Sequence, residues 1–298
     1  MRDSKRLERE QVTRTWQTAD VGAVEELARG MRCDIVEMLA EAGSGHPGGS
    51  LSAADIVAVL YGAVLRHDPA RPDDPDRDRF VLSKGHAAPV LYAALARTGY
   101  FGRDHLKTLR KLGSMLQGHP DSTKTPGVEI STGSLGQGLA VSNGMALALR
   151  RDGRTGPTVF CLLGDGELQE GEVWEAAMFA PHHGLTNVVA IVDHNGLQID
   201  GACSEVMCLG DIAQKFRAFG WDAVECDGHD VPGLLETLGT ARERAEAAGR
   251  PAAVVCHTVK GKGVSFMEGN ADWHGKAPNR EEAAAALAEL RCSEEVAK

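Results

Sequence analysis

Apolar residues follow two different spacings along the chain, and each spacing predicts a different kind of secondary structure. Over about 21–42 they recur at helical intervals, which predicts a helix that stops at the segment "GSGHPGGS". The next helix is predicted over about 53–65, with Ser52 as its cap. Further helices are predicted over about 86–98, 103–112 and 139–151, and a terminal helix in "NREEAAAALAELRCSEEVAK".

The second spacing belongs to short apolar segments rich in β-branched residues, which predict strands buried on both faces. These segments are "RFVL", "PTVFCLLGDG", "NVVAIVDHN", "WDAVECDG" and "PAAVVCHTVKG". Because strands of this kind alternate with helices, the sequence predicts an α/β fold with a mostly parallel sheet and helices on both faces. We expect residues 21–298 to form a single domain and residues 1–20 to be a charged N-terminal extension.

Composition narrows the class of protein. The chain of 298 residues is 43% hydrophobic and 25% charged, which is typical of a soluble globular protein. A net charge of −10 and an aromatic content of 5% argue against a nucleic-acid partner. We expect no signal peptide, because the charged N-terminus has no apolar core. We also expect no membrane span, because no apolar run approaches the ~18 residues that a membrane helix needs. The 7 cysteines contain no CxxC pair, which predicts reduced thiols and a cytoplasmic location.

Two predicted strands end in polar clusters, Gly164-Asp165-Gly166 and the segment "DHN" that ends at Asn195. Because ligands of open α/β sheets bind at the carboxyl ends of strands, Asp165 and Asn195 are expected to lie together. One carboxylate and one amide oxygen leave positions open for phosphate oxygens, a ligand set that suits Mg²⁺. The alternative is a pair of ordinary turns in which both residues act as caps.

Several longer motifs give this pattern a context. They are "SGHPGGSLSAADI", "FVLSKGHAAPVLYAAL", "QGHP", "STGSLGQGLAVSNGMALA" and "KGKGVSFMEGNADWHGKAP". Together with Gly-Asp-Gly and an Asn about thirty residues further on, they resemble transketolase, a thiamine diphosphate (ThDP) enzyme, over about residues 25–280. The resemblance implies the diphosphate-binding (PP) domain of the ThDP fold.

The resemblance also implies which residues bind the cofactor and its metal ion. Asp165, Asn195 and the backbone carbonyl of Leu197 would bind Mg²⁺, for which Ca²⁺ or Mn²⁺ could substitute. The residues expected to bind ThDP are His86, Gly133, Leu135, Gly164, Asp165, Gly166, Glu167, Asn195 and His274.

The implied catalytic residues are His46, His86, His119, His274 and Glu170. In this chemistry a proton leaves one hydroxyl group and another reaches a carbonyl oxygen. Imidazole suits both transfers because its pKa of about 6.5 lies close to neutrality. Taken singly, each histidine could equally be a loop residue.

A typical transketolase continues into a pyrimidine-binding domain, which supplies the glutamate that activates the cofactor. No segment of this chain resembles that domain. We therefore expect the N-terminal subunit of a split transketolase, completed by a separate C-terminal subunit in an α₂β₂ assembly. The pair would move a two-carbon ketol unit from a ketose (phosphate) donor to an aldose acceptor. Glu170, with Glu175, is expected at the interface that links the active sites.

Three alternatives remain open at this point. A transketolase-like pair could transfer a two-carbon hydroxyacyl unit to a lipoyl or carrier-protein thiol. The chain could instead be the α-subunit of a 2-oxo acid dehydrogenase, although the histidine motifs favour transketolase. A third alternative is a non-catalytic scaffold with the ThDP fold.

The remaining polar residues carry no such indication. Asp193 and Asp200 are interpreted as turn residues. Lys260 and Lys262 could contact phosphate or simply form a solvated basic loop. The histidines interpreted as structural or surface residues are His67, His105, His182, His183, His194, His229 and His257.

Overall fold

The computed structural model describes residues 16–199 and 201–296. Most of the expected N-terminal extension and the turn predicted at Asp200 therefore lie outside the described residues. The helices are α1 (Val21–Ala42), α2 (Pro47–Ser52), α3 (Ala54–Val59), α4 (Ala88–Arg97), α5 (Gln137–Arg151), α6 (Gly171–His182), α7 (Cys203–Val206), α8 (Ile212–Ala218), α9 (Val231–Gly239), α10 (Ala241–Ala248) and α11 (Arg280–Val296). The strands are β1 (Arg79–Leu82), β2 (Val159–Gly164), β3 (Val188–His194), β4 (Leu197–Gln198), β5 (Gly201–Ala202), β6 (Asp222–Asp227) and β7 (Ala252–His257).

Helix α1 confirms the prediction made from helical spacing. It begins where the Asp20 carboxylate accepts a hydrogen bond from the Ala23 N–H at 3.3 Å. It ends at Gly43, whose φ of 65° is left-handed, and the Gly43 N–H donates to the Leu39 carbonyl.

Two local predictions are wrong. Ser52 does not cap the helix predicted over 53–65, because it is the last residue of the preceding helix, α2. Its hydroxyl donates to the Asp193 carboxylate at 2.6 Å instead. The helix predicted over 103–112 is only a 3₁₀ segment, Arg103–Thr108. It cannot continue because Arg110 has a φ of 62° and Gly113 a φ of 80°, values that break a right-handed helix.

Five strands form one parallel sheet in the order β1-β2-β3-β7-β6, which confirms the predicted α/β fold. The two-residue strands β4 and β5 form a separate antiparallel pair directly after β3. Gly164 pairs with Asp193, and Asp193 pairs with Cys256. The register therefore places the carboxyl ends of β2, β3 and β7 side by side.

Helices cover both faces of this sheet. On one face, Phe160 and Leu162 of β2 pack against α1, α4 and α9. On the other face, the alternate residues Cys161 and Leu163 pack against α5, α6 and α8. Both sets are buried, which explains why the strands read as continuous apolar runs. In the described ranges, no helix is long and apolar enough to cross a membrane.

Helix α5 approaches the turn after β1 so closely that glycine is required at one position. A Cβ on Gly138 would lie 2.4 Å from the Ser83 Cβ and 2.7 Å from its Cα, so backbone would have to move. Gly144, in the same helix, is exposed, and a Cβ added there would meet no atom within 4 Å.

We expect Gly138→Ala to lower the free energy of unfolding by about 1–3 kcal/mol, because overpacking outweighs the gain in helix propensity. Gly144→Ala should instead raise it by about 0.5–1 kcal/mol, because only the propensity changes. Urea denaturation of both variants measures these effects. Equal stabilisation by both substitutions would contradict the close approach at Gly138.

Candidate active site

A cavity of about 230 Å³, here called the edge cavity, opens at the carboxyl ends of the central strands. It contains every predicted site residue except His46, His119 and Gly133. A larger cavity of about 580 Å³, between α1 and α11, contains none of them. The edge cavity is lined by Gly49, Lys84, His86, Leu135, Gly164, Asp165, Gly166, Glu167, Gln169, Glu170, Asn195, Leu197, Gln198, Ile199, Lys260 and His274.

The predicted metal ligands lie together in the edge cavity. Asp165 is 2% exposed, and its two oxygens accept hydrogen bonds from the N–H groups of Gly166 at 2.8 Å and Gly196 at 2.6 Å. The Asn195 side-chain oxygen accepts from the Leu197 N–H at 3.1 Å. Burial and the nearby Asp193 carboxylate raise the pKa of Asp165, so a cation here would relieve an unfavourable charge. The described residues contain no cluster of three His, Cys, Asp or Glu side chains suited to a metal.

A buried ion pair joins the elements around the cavity. Lys84 and Asp193 are 1% and 0% exposed, and the Lys84 ammonium donates to the Asp193 carboxylate and, at 2.8 Å, to the Gly49 carbonyl. Ser52 and Thr258 also donate their hydroxyl protons to Asp193. The interpretation of Asp193 as a turn residue is therefore wrong. It lies inside β3 and links β1, β7 and α2.

Lys260 is also buried, which contradicts the alternative of a solvated loop at this position. It is 2% exposed, and its ammonium donates to the Leu197 carbonyl and to His274 Nδ1, both at 3.0 Å. Because the ammonium donates, Nδ1 of His274 is the acceptor and its ring proton lies on Nε2. Burial and the charge of Lys84 lower the pKa of Lys260 to about 8. Lys262 lies nearer the surface, within 3.5 Å of Glu268.

The four predicted histidines form one cluster, although they come from four different loops. The ring centre of His46 lies 5.4 Å from that of His86, 5.5 Å from that of His274 and 6.3 Å from that of His119. His86 and His274 are 5.2 Å apart. His46 therefore sits at the centre of the cluster, and its Nδ1 is buried without a hydrogen-bond partner among the described residues.

Burial and neighbouring cations keep these imidazoles neutral. Burial, followed by the charge of Arg110, lowers the pKa of His46 to about 4. Burial and then Lys260 lower the pKa of His274 to about 4. The pKa values of His86 and His119 are lowered by burial as well. At neutral pH the rings of His46, His86 and His119 can therefore accept a proton, whereas His274, whose Nδ1 is occupied by Lys260, can donate from Nε2.

Glu167 braces the turns around the cavity. It is 2% exposed, and its carboxylate accepts from the N–H groups of Gly136 at 3.0 Å and Gly164 at 2.9 Å, and from the Ser83 hydroxyl. These bonds join the turn after β2 to the segments before α5 and after β1. Its predicted contact with the cofactor stays a prediction.

Close backbone packing brings two of the histidine loops together. A Cβ on Gly85 would lie 2.6 Å from the Gly133 nitrogen, and one on Gly133 would lie 2.9 Å from His119 Cδ2. Only glycine at both positions lets the loops carrying His86 and His119 meet. Glu170 is exposed at the rim of the cavity.

Sequence reasoning missed Lys84 and misjudged Asp193, although the signal for both was present. Each lies at or directly after the carboxyl end of a strand, which is the placement that identified Asp165. Lys260 follows β7 in the same way. None of the histidines interpreted as structural or surface residues lines the edge cavity.

The edge cavity of this parallel sheet combines two neighbouring side-chain oxygens, buried lysines and neutral histidines. These features define an α/β domain suited to an anionic cofactor. Residues 23–294 match the family described as transketolase, thiamine diphosphate binding domain, and the chain belongs to this family. The predicted family is thereby confirmed, and the family assignment favours transketolase over the 2-oxo acid dehydrogenase alternative.

The chain is similar both to separate transketolase subunits and to longer transketolase chains. The chain is 44% identical to the SqwG subunit of 6-deoxy-6-sulfo-D-fructose transketolase from Clostridium sp., over 86% of this chain and 91% of that protein. It is 40% identical to one of the subunits of apulose-4-phosphate transketolase from Actinobacillus succinogenes, over 90% and 96% of the two chains. The solved transketolase from Leishmania mexicana superposes with a TM-score of 0.83 at 34% identity, over 90% of this chain and 41% of that one. The chain thus spans nearly the whole of the subunit relatives and under half of the transketolase structure.

The lowered pKa of His46 makes stability depend on pH. As the pH falls from about 6.5 towards 4, the imidazole of His46 takes up a proton in the unfolded chain before it does in the folded chain. Protons therefore favour the unfolded state, and stability should decrease over this window. We expect His46→Gln to lose less stability than the natural chain between pH 7 and pH 5 in chemical denaturation. Parallel pH profiles would contradict a neutral His46.

Loss of the buried ion pair should be costly. We expect Asp193→Asn to lower the free energy of unfolding by about 3–5 kcal/mol, because Lys84 would keep a buried charge without its partner. Asp222→Asn is the matched control, since Asp222 pairs with Arg244 at 3.0 Å on side chains that are 25% and 27% exposed. Its effect should stay below about 1 kcal/mol. Similar losses in both variants would contradict a larger contribution to stability from the buried Lys84–Asp193 pair.

Proposed function

We propose that this chain is the PP-domain subunit of a two-chain transketolase that depends on ThDP and Mg²⁺. The single observation that carries the proposal is the edge cavity, where one carboxylate, one amide oxygen and a buried ammonium lie beside four clustered histidines. Residues 21–298 would act as one domain. A separate subunit with a pyrimidine-binding domain would complete the active site.

The residues present fit both the cofactor and its metal ion. Asp165, Asn195 and the Leu197 carbonyl provide oxygen ligands of the kind that Mg²⁺ takes when it also binds phosphate. Lys260 donates to that same carbonyl, so its ammonium would be available to bind the diphosphate group. The cavity is lined by backbone at Gly164 and Gly166, which leaves room for the diphosphate group.

ThDP, when bound, supplies the carbanion chemistry needed to break a bond beside a ketose carbonyl. The chain supplies groups that move protons. A neutral imidazole can accept a proton from a substrate hydroxyl at a ring nitrogen and later return it to a carbonyl oxygen. His46 suits this role because its buried Nδ1 has no partner among the described residues. His274 has its Nδ1 fixed by Lys260, so its Nε2–H is left to donate.

The surface around the cavity supports a partner subunit. Ile199 lines the cavity and is 67% exposed, and nearby in sequence Met207 is 59% exposed. Glu170, directly before α6, is exposed, as are Glu175 and Met178 on α6, and Met178 is 58% exposed. Large apolar side chains beside a polar cavity are typical of a surface that another chain covers. We propose that the partner covers this rim in an α₂β₂ assembly.

The substrate we propose is an anionic ketose donor with an aldose acceptor. The names of the two subunit relatives specify a sulfonated fructose and a sugar phosphate, both of them anionic. The proposed compartment is the cytoplasm, because all seven cysteines are free thiols. Cys226 and Cys256 form no disulfide, and the Cys226 thiol instead donates a hydrogen bond to the Cys256 sulfur at 3.7 Å.

The test is an assay of this chain mixed with a chain that carries the pyrimidine-binding and C-terminal domains of a transketolase. We expect ketol transfer to ribose 5-phosphate from xylulose 5-phosphate, 6-deoxy-6-sulfo-D-fructose or apulose 4-phosphate, and only in the mixture. Asp165→Ala should weaken Mg²⁺-dependent ThDP binding by about 100-fold or more, since even groups that only support metal ligands contribute 10–100-fold. Asp104→Ala, at an exposed position outside the edge cavity, is the control.

The outcomes separate the remaining possibilities. Activity of this chain alone would overturn the two-subunit proposal. ThDP binding without transfer to any sugar would favour a lipoyl or carrier-protein thiol as the acceptor. A mixture that binds no ThDP would favour the scaffold alternative. Sedimentation of the active mixture tests the α₂β₂ stoichiometry.

A further inference from the structure

Three backbone N–H groups of the loop after β7 donate hydrogen bonds to other segments. The Thr258 N–H donates to the His194 carbonyl at 3.0 Å, and the Gly261 N–H donates to the Gly48 carbonyl at 3.0 Å. Between them, the Val259 N–H donates to His229 Nε2 at 2.8 Å. These bonds hold the backbone on both sides of Lys260. His229 differs from the other two partners because it accepts through a side-chain atom and not through a backbone carbonyl.

His229 is itself fixed by a buried chain of polar groups. A backbone N–H can only donate, so Nε2 of His229 is the acceptor and its ring proton lies on Nδ1. Nδ1 donates to the Asp55 carboxylate at 2.7 Å. The Arg32 guanidinium holds the same carboxylate through two hydrogen bonds of 2.9 and 2.6 Å. Arg32 and Asp55 are 8% and 6% exposed, and the His229 side chain is 14% exposed.

The Asp55 carboxylate is ionised at neutral pH. Burial opposes ionisation of Asp55, but the charge of Arg32 and the hydrogen bonds from His229 and Arg32 outweigh it and lower its pKa to about 2. The carboxylate therefore orients the imidazole and keeps its proton on Nδ1. Nε2 is left free to accept from Val259.

Lys260 needs such support because its ammonium occupies an unfavourable place. The ammonium is buried beside the positive charge of Lys84, and both effects lower its pKa to about 8. A lysine side chain also has four flexible bonds, so its entropy favours release towards solvent. Fixing the backbone at Val259 limits the positions from which the ammonium can leave.

We propose that His229, whose acceptor nitrogen is set by Asp55 and Arg32, positions Lys260 through its hydrogen bond to Val259, and that it thereby sets the affinity of the edge cavity for the diphosphate group of the cofactor. This inference rests on the proposed function. His229 touches neither the edge cavity nor a predicted ligand, so its role is to position Lys260 and not to act in the reaction itself.

Two amide substitutions each keep one of the two hydrogen bonds of His229 and remove the other. In His229→Asn, the amide can still donate to Asp55 from the place of Nδ1, but it is too short to accept from Val259. In His229→Gln, the amide oxygen reaches the place of Nε2 and can accept from Val259, while the bond to Asp55 is lost. His257→Asn is the matched control, because His257 ends β7, is 52% exposed and pairs through its side chain with the exposed Glu225.

Two measurements are made on each variant. Hydrogen exchange of the full-length chain reports whether the Val259 amide is still bonded. Equilibrium titration of the complex with the partner subunit gives the affinity for Mg²⁺–ThDP. We expect His229→Asn to speed exchange at Val259 and to weaken the affinity by about 10–100-fold, as supporting groups of binding sites typically do. His229→Gln and His257→Asn should stay within about threefold of the natural chain in affinity.

A double-mutant cycle with Lys260→Met tests whether His229 acts through Lys260. The two losses should not add, because Asn at position 229 has nothing left to position once the ammonium is gone. Equal weakening by Asn and Gln, full additivity, or faster exchange without loss of affinity would overturn the proposal. If the natural complex binds no ThDP, the proposed function itself fails. If it binds ThDP, differences in affinity between the variants test the role of His229 alone.

Discussion

The buried ion pair between Lys84 and Asp193 is the interaction on which the edge cavity depends. Removing two charges from water is costly, and this cost is offset only when both groups are fully bonded. Here the ammonium also donates to Gly49, and the carboxylate also accepts from Ser52 and Thr258. The pair therefore fixes the ends of three elements at once. Asn195 follows Asp193 by two residues, and His86 follows Lys84 by two residues, so both leave directly from the ends that the pair fixes.

The electrostatics of the cavity follow from that arrangement. The chain as a whole has a net charge of −10, yet two buried lysines, Lys84 and Lys260, lie at this one edge. Lys84 is paired with Asp193, so Lys260 provides the ammonium that favours an anionic ligand. Burial, followed by the charges of these lysines, lowers the pKa values of His86 and His274 and keeps both rings neutral.

Much of this architecture could be predicted from the sequence. The pattern of the apolar residues identified α1 and all five strands of the sheet, and the position of Asp165 and Asn195 after strands placed them at one edge. Local signals were weaker. Ser52 resembles a cap, but its hydroxyl bonds to Asp193, which is 141 positions away in the chain. Asp193 resembles a turn residue because its sequence neighbours are polar, whereas its neighbours in space are a lysine and two hydroxyls.

The sequence by itself determined the fold class, the family and the edge at which the chemistry lies, because periodicity and motif spacing are local properties that need no knowledge of contacts. Only the tertiary structure decided which charges are buried and paired. Lys260 in "KGKG" has the same flanking glycine as Lys262, yet it is 2% exposed and bonded to Leu197 and His274, while Lys262 reaches the surface. Burial and pairing depend on residues far apart in the chain, since desolvation and Coulomb interactions act between neighbours in space.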